Sequence, residues 1–240
     1  MGTIPRRSLW WRLCVVSCKA VAVDGLLLEF GERIDPEISR RVLSFYRRLK
    51  ELALPGIVEI IPSYATLYLQ FDLFHWDHES LCRHLRQIAD SLPESENEKG
   101  RLVEIPVHYS RETGPDLERV ASIHGLNVEE VIRLHSQREY RVYTVGFLPG
   151  FAYMGSVDER IATPRLGTPR ARVPKGSVAL ANLQCAVYPL ESPGGWNLLG
   201  RTPVELFDPE MEGFSLLRPG DLVRFRPIDR EAYLTAGGEL

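Results

Sequence analysis

Between Gly146 and Pro203 the chain repeats glycine, proline and arginine in short clusters, GFLPGFAYMG, PRLGTPRARVPKGSV and YPLESPGGWNLLGRTP. Proline fixes its own φ and lacks an N–H donor, while glycine opens positive φ, so this density predicts loops of defined shape. Into those loops the sequence places Arg165, Arg170, Arg172 and Arg201 beside Phe147, Phe151, Tyr153, Tyr188 and Trp196. A guanidinium is a planar fork of donors matched to carboxylate or phosphate, and aromatic faces beside it can wall a pocket. The same residues also fit a barrel with proline-rich corners and solvated arginines. Residue type alone leaves both readings open.

Composition limits the class of partner. The 240 residues are 44% hydrophobic and 25% charged, with Lys+Arg 29 against Asp+Glu 32 and a net charge of -3, which gives no pull toward nucleic acid or an anionic membrane. Four cysteines at positions 14, 18, 82 and 185 form neither a paired CxxC signature nor a dense framework, so the expectation is reduced thiols in a cytoplasmic protein. Arg6 and Arg7 precede LWWRLCVVSC, but Arg12 leaves the apolar run shorter than the roughly 7 to 15 residues of a signal core. No stretch approaches the roughly 18 apolar residues of a membrane helix.

The first half reads as a small α/β unit. Strands are expected near Leu13–Ser17, over Leu26–Phe30, over Ile57–Ile61 and over Ala65–Phe71, the last alternating Leu67, Leu69 and Phe71 with Thr66, Tyr68 and Gln70. Asp35-Pro36 is an N-cap and first-turn pair, and Ile38, Val42, Phe45, Leu49 and Leu52 form one helical stripe that stops at Pro55-Gly56. A second helix carries Leu81, Leu85, Ile88 and Leu92 and ends at Pro93. His78 and Cys82 share a face of it, with His75 and His84 nearby. No matching ligand cluster accompanies them, so they read as solvated or partly buried side chains rather than a metal site. The polar run PESENEKG marks a boundary between a domain over 1–97 and another over 101–240.

Beyond it, Leu102–Val107 reads as a strand and GPDLERVASIHGLNVEEVIRLHS as two helices, Gly125 ending the first and Asn127 with Glu130 opening the second. Their spacing is similar to a DNA-binding helix-turn-helix, yet no basic stripe accompanies it, so the pair is expected to pack on a barrel. YRVYTVGF, GSVALANL, CAVYPLE, TPVELF and DLVRFRPI then read as the short strands of an all-β barrel or sandwich, and the tail after Ile228 as frayed. The sequence holds no GxxxxGK[ST] loop, no GxGxxG after a strand, no HExxH and no GxSxG elbow.

HYSRETGPDLERVASIHGL, YTVGFLPGFAYMG, TPRLGTPRARVPKGSVAL, YPLESPGGWNLLGRTP, LFDP and LRPGDLVRF, in this order and spacing, resemble the family of the 5-oxoprolinase B subunits, also described as Kip kinase inhibitors and allophanate hydrolase subunit one. The resemblance covers nearly all of residues 105–228; LLLEFGERID and IPSYATLYLQFD resemble the family's N-terminal domain. The lead-in CKAVAVDG and the residues His108 and Ser110 depart from the family pattern.

The resemblance implies an α+β architecture, a small α/β N-terminal domain followed by a cyclophilin-like β-barrel. It implies one component of an ATP-dependent complex that hydrolyses the lactam of 5-oxo-L-proline to L-glutamate. ATP and Mg would be bound by a partner chain, with homologues of the 5-oxoprolinase C and A subunits as partners and a second copy of this chain as a further option. An inhibitor of a sensor histidine kinase, half of a urea carboxylase-type carboxyltransferase and a peptidyl-prolyl isomerase are the alternatives. Carried over residue by residue, a substrate-facing or partner-facing role falls on His135, Phe147, Pro149, Gly150, Phe151, Arg165, Arg170, Pro174, Ser177, Trp196 and Arg201. Arg165 and Arg170 are expected to share one anion-recognising surface, and the Phe147, Phe151 and Trp196 loops to form an apolar docking rim.

Overall fold

In the computed structural model, which describes residues 17–91, 100–211 and 213–240, the chain divides into two units, Met1–Lys99 and Gly100–Leu240. The first contains β1 (Ser17–Ala22), β2 (Gly25–Glu29), α1 (Pro36–Leu52), β3 (Ile57–Pro62), β4 (Thr66–Phe71) and α2 (His78–Ser91). Its four-stranded antiparallel sheet has the order β1-β2-β4-β3. The alternation along β4 sends Leu67, Leu69 and Phe71 into a core with Leu26 and Leu28, against Val42, Phe45 and Leu49 of α1 and Leu81, Leu85 and Ile88 of α2. The α1 boundaries follow from capping chemistry. Asp35 accepts from the backbone N–H groups of Glu37 at 2.8 Å and Ile38 at 3.3 Å, and Ala53 ends the helix in the left-handed region.

Of the strand expected near Leu13–Ser17, residues 13–16 lie outside the described residues, as do Leu92, Pro93 and the rest of the polar run through Lys99. The expectation of reduced thiols is corrected at one pair. Cys18 lies opposite Leu28 in the β1–β2 register and so faces the helix-covered side, where it forms a disulfide with Cys82 of α2. Cys185 is free and buried. The histidines near Cys82 have local partners: His75 pairs with Asp72 at 2.9 Å, His78 lies 3.0 Å from the Ala22 carbonyl oxygen, and His84 stacks on Trp76. Among the described residues no helix is long and apolar enough to cross a membrane.

The second unit contains β5 (Leu102–His108), α3 (Leu117–His124), α4 (Val128–Ser136), β6 (Glu139–Val145), β7 (Ala152–Gly155), β8 (Arg170–Val173), β9 (Ser177–Ala181), β10 (Gln184–Val187), β11 (Ser192–Gly194), β12 (Asn197–Arg201), β13 (Leu222–Ile228) and α5 (Arg230–Thr235). Seven of these strands close a barrel in the order β10-β7-β6-β13-β5-β12-β9, and β8 pairs with β11 as a separate ribbon. The β13–β5 pairing is parallel and the others antiparallel. Every barrel strand contributes to the interior core, including Ile105, Tyr140, Met154, Val178, Cys185, Leu199 and Phe225, which Leu117 and Val120 of α3 and Val131 and Leu134 of α4 join. Gly125 ends α3 in the left-handed region, and Asn127 with Glu130 completes a reciprocal capping box at α4.

Two sequence expectations fail here for local reasons. TPVELF forms no strand, only an isolated Phe207–Ser215 bridge; Pro203 lacks a ladder donor, and the Thr202 hydroxyl accepts from Val204 N–H, holding the chain in a local turn. The tail after Ile228 is not frayed. Asp229 accepts from Ala232 N–H at 2.8 Å to cap α5, and the fully buried Tyr233 stacks on His108 at 5.4 Å.

Gly114, before α3, passes so close to β12 that a Cβ there would overlap the Leu199 carbonyl oxygen and lie 2.8 Å from Gly200 N. Backbone cannot yield as a side chain can. Gly114→Ala is therefore expected to destabilise the barrel unit by about 3 kcal/mol, read from the midpoint of denaturant unfolding. A midpoint equal to wild type would refute this close approach.

Candidate functional site

The candidate site lies on the outer face of the barrel. Along β9, Val178 and Leu180 point inward, so Ser177, Ala179 and Ala181 point outward. Ala179 stands opposite Ala186 of β10 on one side and Leu198 of β12 on the other. These small side chains form a floor that Phe151, Val173, Tyr188 and Trp196 cover, giving a second apolar cluster outside the barrel. Phe151 makes edge contacts with Phe147, Tyr153, Tyr188 and Trp196 at centroid distances of 5.4, 4.9, 5.2 and 6.0 Å. Trp196 is 5% exposed and Phe151 2%, so both are committed to this packing and do not form an exposed docking rim as expected. Phe147 differs. It is 64% exposed and holds φ 72, a left-handed conformation costly for an aromatic residue.

At the mouth of this cluster the Arg165 guanidinium lies 5.5 Å from the centre of the Trp196 ring. Leu166 N–H donates to the Gly195 carbonyl at 2.7 Å, and Asn197 Nδ2 donates to the Pro164 carbonyl at 2.9 Å. The residues on either side of Arg165 are thus tied to the residues on either side of Trp196. Asn197 is fully buried, also donates to the Leu180 carbonyl at 3.2 Å, and accepts from Arg119. Behind it, Asp116 accepts from Leu198 N–H at 2.8 Å and from Arg170 at 2.7 Å, and Arg170 also reaches the Trp196 carbonyl at 3.4 Å. The pair Arg165–Trp196 is held from two directions.

The arginines of the organising stretch divide by what occupies them. Arg170 is committed to the buried Asp116 carboxylate, Arg172 pairs with Glu191 at 2.9 Å, and Arg201 donates to the Glu239 carbonyl at 2.6 Å. The expectation that Arg165 and Arg170 share one anion-recognising surface therefore meets a different arrangement. Arg165 is exposed, and no carboxylate among the described residues pairs with it. Its charge opposes the rise that burial imposes on the Tyr153 and Tyr188 hydroxyls, which lie within its field. Chemically, the arrangement offers an exposed guanidinium on an ordered backbone beside aromatic rings.

The other expected site residues scatter. Pro149 is exposed and Gly150 packs under Phe207 and the Leu206 carbonyl, both in the β6–β7 turn that presents Phe147. The Pro174 carbonyl accepts from Ser177 N–H in the turn from β8 to β9. Ser177 and Arg201 stand opposite one another between β9 and β12, and neither Ser177 Oγ nor Arg201 Nε has a hydrogen-bond partner among the described residues. His135 lies away from the surface. It is fully buried, stacks on Phe225 at 4.7 Å, and its Nδ1 lies 2.8 Å from the Tyr109 hydroxyl. Among the described residues no group of three or more His, Cys, Asp or Glu is arranged to hold a metal ion.

Asp116, Arg119 and Asn197 escaped sequence reasoning, although they organise the site. Asp116 stands at an N-cap position but makes no cap bond to α3; its carboxylate is spent across the fold.

Against known proteins, the barrel and its covering loops are recognisable. The model of the carboxyltransferase domain, subdomain C and D, matches residues 16–217. The B subunit of 5-oxoprolinase from Bacillus subtilis is 40% identical over 220 residues, covering 88% of this chain and 92% of that protein. The crystal structure of TTHA0988 is 43% identical with a TM-score of 0.76 over 85% of this chain, which spans 40% of that longer one. The urea amidolyase of Kluyveromyces lactis, 20% identical with a TM-score of 0.72 over 92% of this chain and 15% of its own, shares the fold. An α+β carboxyltransferase-type module is thus defined, and the chain belongs to the family of the 5-oxoprolinase B subunits.

Two outcomes separate structural from exposed roles. Asp116→Ala leaves Arg170 and Leu198 N–H unpaired and is expected to cost about 3 kcal/mol of barrel stability, whereas Arg165→Ala should change it by under about 0.5 kcal/mol. Equal costs in denaturant unfolding would contradict the division. Burial lowers the pKa of His135 from 6.5 to about 3. Above pH 6.5 the imidazole is neutral in both states; below it the unfolded chain binds a proton that the folded one refuses. Stability should therefore fall by about 1.4 kcal/mol per pH unit from this group between 6.5 and 3, and His135→Gln should flatten that slope. An unchanged slope in the variant would count against it.

Proposed function

We propose that this chain is one component of an ATP-dependent 5-oxoprolinase complex, in which water is added across the lactam C–N bond of 5-oxo-L-proline to give L-glutamate while ATP goes to ADP and phosphate. The observation that carries the reading is identity of 40% to the B subunit of 5-oxoprolinase from Bacillus subtilis across 92% of that protein's length. Opening an unstrained lactam with ATP calls for a site that cradles triphosphate and Mg²⁺, normally by a glycine-rich backbone loop and carboxylates. The sequence has no GxxxxGK[ST] loop, so ATP and Mg are assigned to a partner, a homologue of the 5-oxoprolinase A subunit, with a homologue of the C subunit sharing the amide site. Residues Phe147 and Arg165 are the substrate-facing or partner-facing groups of this chain, and a cytoplasmic location accompanies the use of ATP.

The similarity in fold to urea amidolyase favours one second reading, half of a carboxyltransferase acting on a small amide. Reconstitution separates them. Purified chain, alone and with homologues of the A and C subunits, is assayed for glutamate release and for ATP hydrolysis dependent on 5-oxoproline or on urea. Glutamate release by the three-component mixture alone is expected. Turnover by the isolated chain, or urea-dependent and not 5-oxoproline-dependent hydrolysis by the mixture, would overturn the proposal.

A further inference from the structure

We infer that Arg165, carried over the ring of Trp196, is the anchor for the carboxylate of a small ligand, and that Arg170, committed to Asp116, is not a second anchor. The inference deepens the function proposed above and rests on it for the identity of the ligand, 5-oxoproline, a small ring with a planar lactam that bears one carboxylate beside the lactam nitrogen.

Three observations carry it. First, Arg165 is exposed and has no carboxylate partner among the described residues, while Arg170, Arg172 and Arg201 of the same stretch are each engaged by an acid or a carbonyl. The Arg165 guanidinium lies over the Trp196 ring at 5.5 Å from its centre, a cation beside an aromatic face, and its N–H donors remain available to a carboxylate. Second, the backbone that carries the guanidinium is held in place before any ligand arrives. Leu166 N–H to the Gly195 carbonyl and Asn197 Nδ2 to the Pro164 carbonyl fix Arg165 and Trp196 to each other, and Arg119 fixes Asn197 in turn. A long flexible side chain on a free loop would lose much of its hydrogen-bond energy to ordering; this one has its backbone ordered already. Third, aromatic side chains flank the charge. Tyr153 lies 6.0 Å from Trp196 and 4.9 Å from Phe151, and Phe147, strained and exposed, stands at the outer end of the same wall. An exposed aromatic held at positive φ is retained at a backbone cost that packing within the unit does not explain.

The test uses the full chain, titrated with 5-oxoproline, with its primary amide, which has the same ring without the charge, and with acetate. The wild type should bind the acid at least about tenfold more tightly than the amide, the difference expected when charge-assisted hydrogen bonds are lost. Arg165→Gln should erase that preference, Arg165→Lys should keep part of it, and Arg172→Gln, on an exposed surface pair, should leave it intact. In the reconstituted complex Arg165→Gln should raise KM at least about tenfold with a smaller change in kcat, because the carboxylate, although beside the lactam nitrogen, carries the same charge before and during cleavage of the ring C–N bond. A wild-type chain that does not distinguish acid from amide would overturn the inference. So would Arg165→Gln variants that bind normally but fail to assemble with partners in gel filtration, since Arg165 would then meet a carboxylate of another protein. The two proposals fail separately: Arg165-dependent binding in a complex inert toward 5-oxoproline removes only the function above, and 5-oxoproline turnover indifferent to Arg165 removes only this one.

Discussion

The structure of the barrel unit depends on one constraint, the two-residue period of β9 in a closed barrel. Closure gives every strand an inside, so Val178 and Leu180 must fill it, and Ser177, Ala179 and Ala181 must face out. Because those outward residues are small, and Ala186 opposite them is small as well, the outer face leaves depth for aromatic side chains. Large outward residues on β9 would have filled that depth. The room under Trp196, Phe151 and Tyr188 is a consequence of three alanines.

Filling that space is a matter of burial, but orienting what fills it is a matter of polar chemistry. Trp196 alone would be satisfied by many ring orientations over an alanine floor. Its position is selected by Asn197, which spends its amide on two carbonyls, Pro164 in a loop and Leu180 on β9, and by Asp116, which meets Leu198 N–H and Arg170 at once. Buried groups of this kind are costly when half-satisfied and specific when complete. The same logic separates the arginines. A carboxylate as buried as Asp116 requires a cation, so Arg170 is bound to the fold; Arg165, lacking any such demand from below, is left to stack on the ring.

Much of the fold was legible because its signals are local. Asp35-Pro36 opens α1, Asn127 and Glu130 cap α4, and the alternation of Leu67, Leu69 and Phe71 faces the core, each decided by residues within one turn or one strand. What the sequence hid depends on distance along the chain. The Cys18–Cys82 bond spans 64 residues, the Asp116–Leu198 contact 82 and the Arg119–Asn197 contact 78, and no periodicity connects such positions. The α5 helix was missed for another reason. At six residues it has no amphipathic period to read, and its anchor is the single ring of Tyr233 on His108. At the candidate site, the density of Gly, Pro and Arg drew attention to the loops that carry Arg165 and Trp196, but which arginine was engaged by an acid could not be read from residue type.

These features bear on how labour divides in a complex of the kind proposed. A carboxylate anchor holds the ligand without taking part in the cleavage of the lactam bond, so its binding energy accelerates the reaction only if a second set of groups is fixed at the right place relative to it. The segments that carry Arg165 and Trp196 supply an origin for that geometry, because their backbones are tied to one another by backbone and amide hydrogen bonds. A nucleotide cradle on another chain can use that origin only once it is seated against the barrel. On the function proposed above, assembly and orientation are then one event.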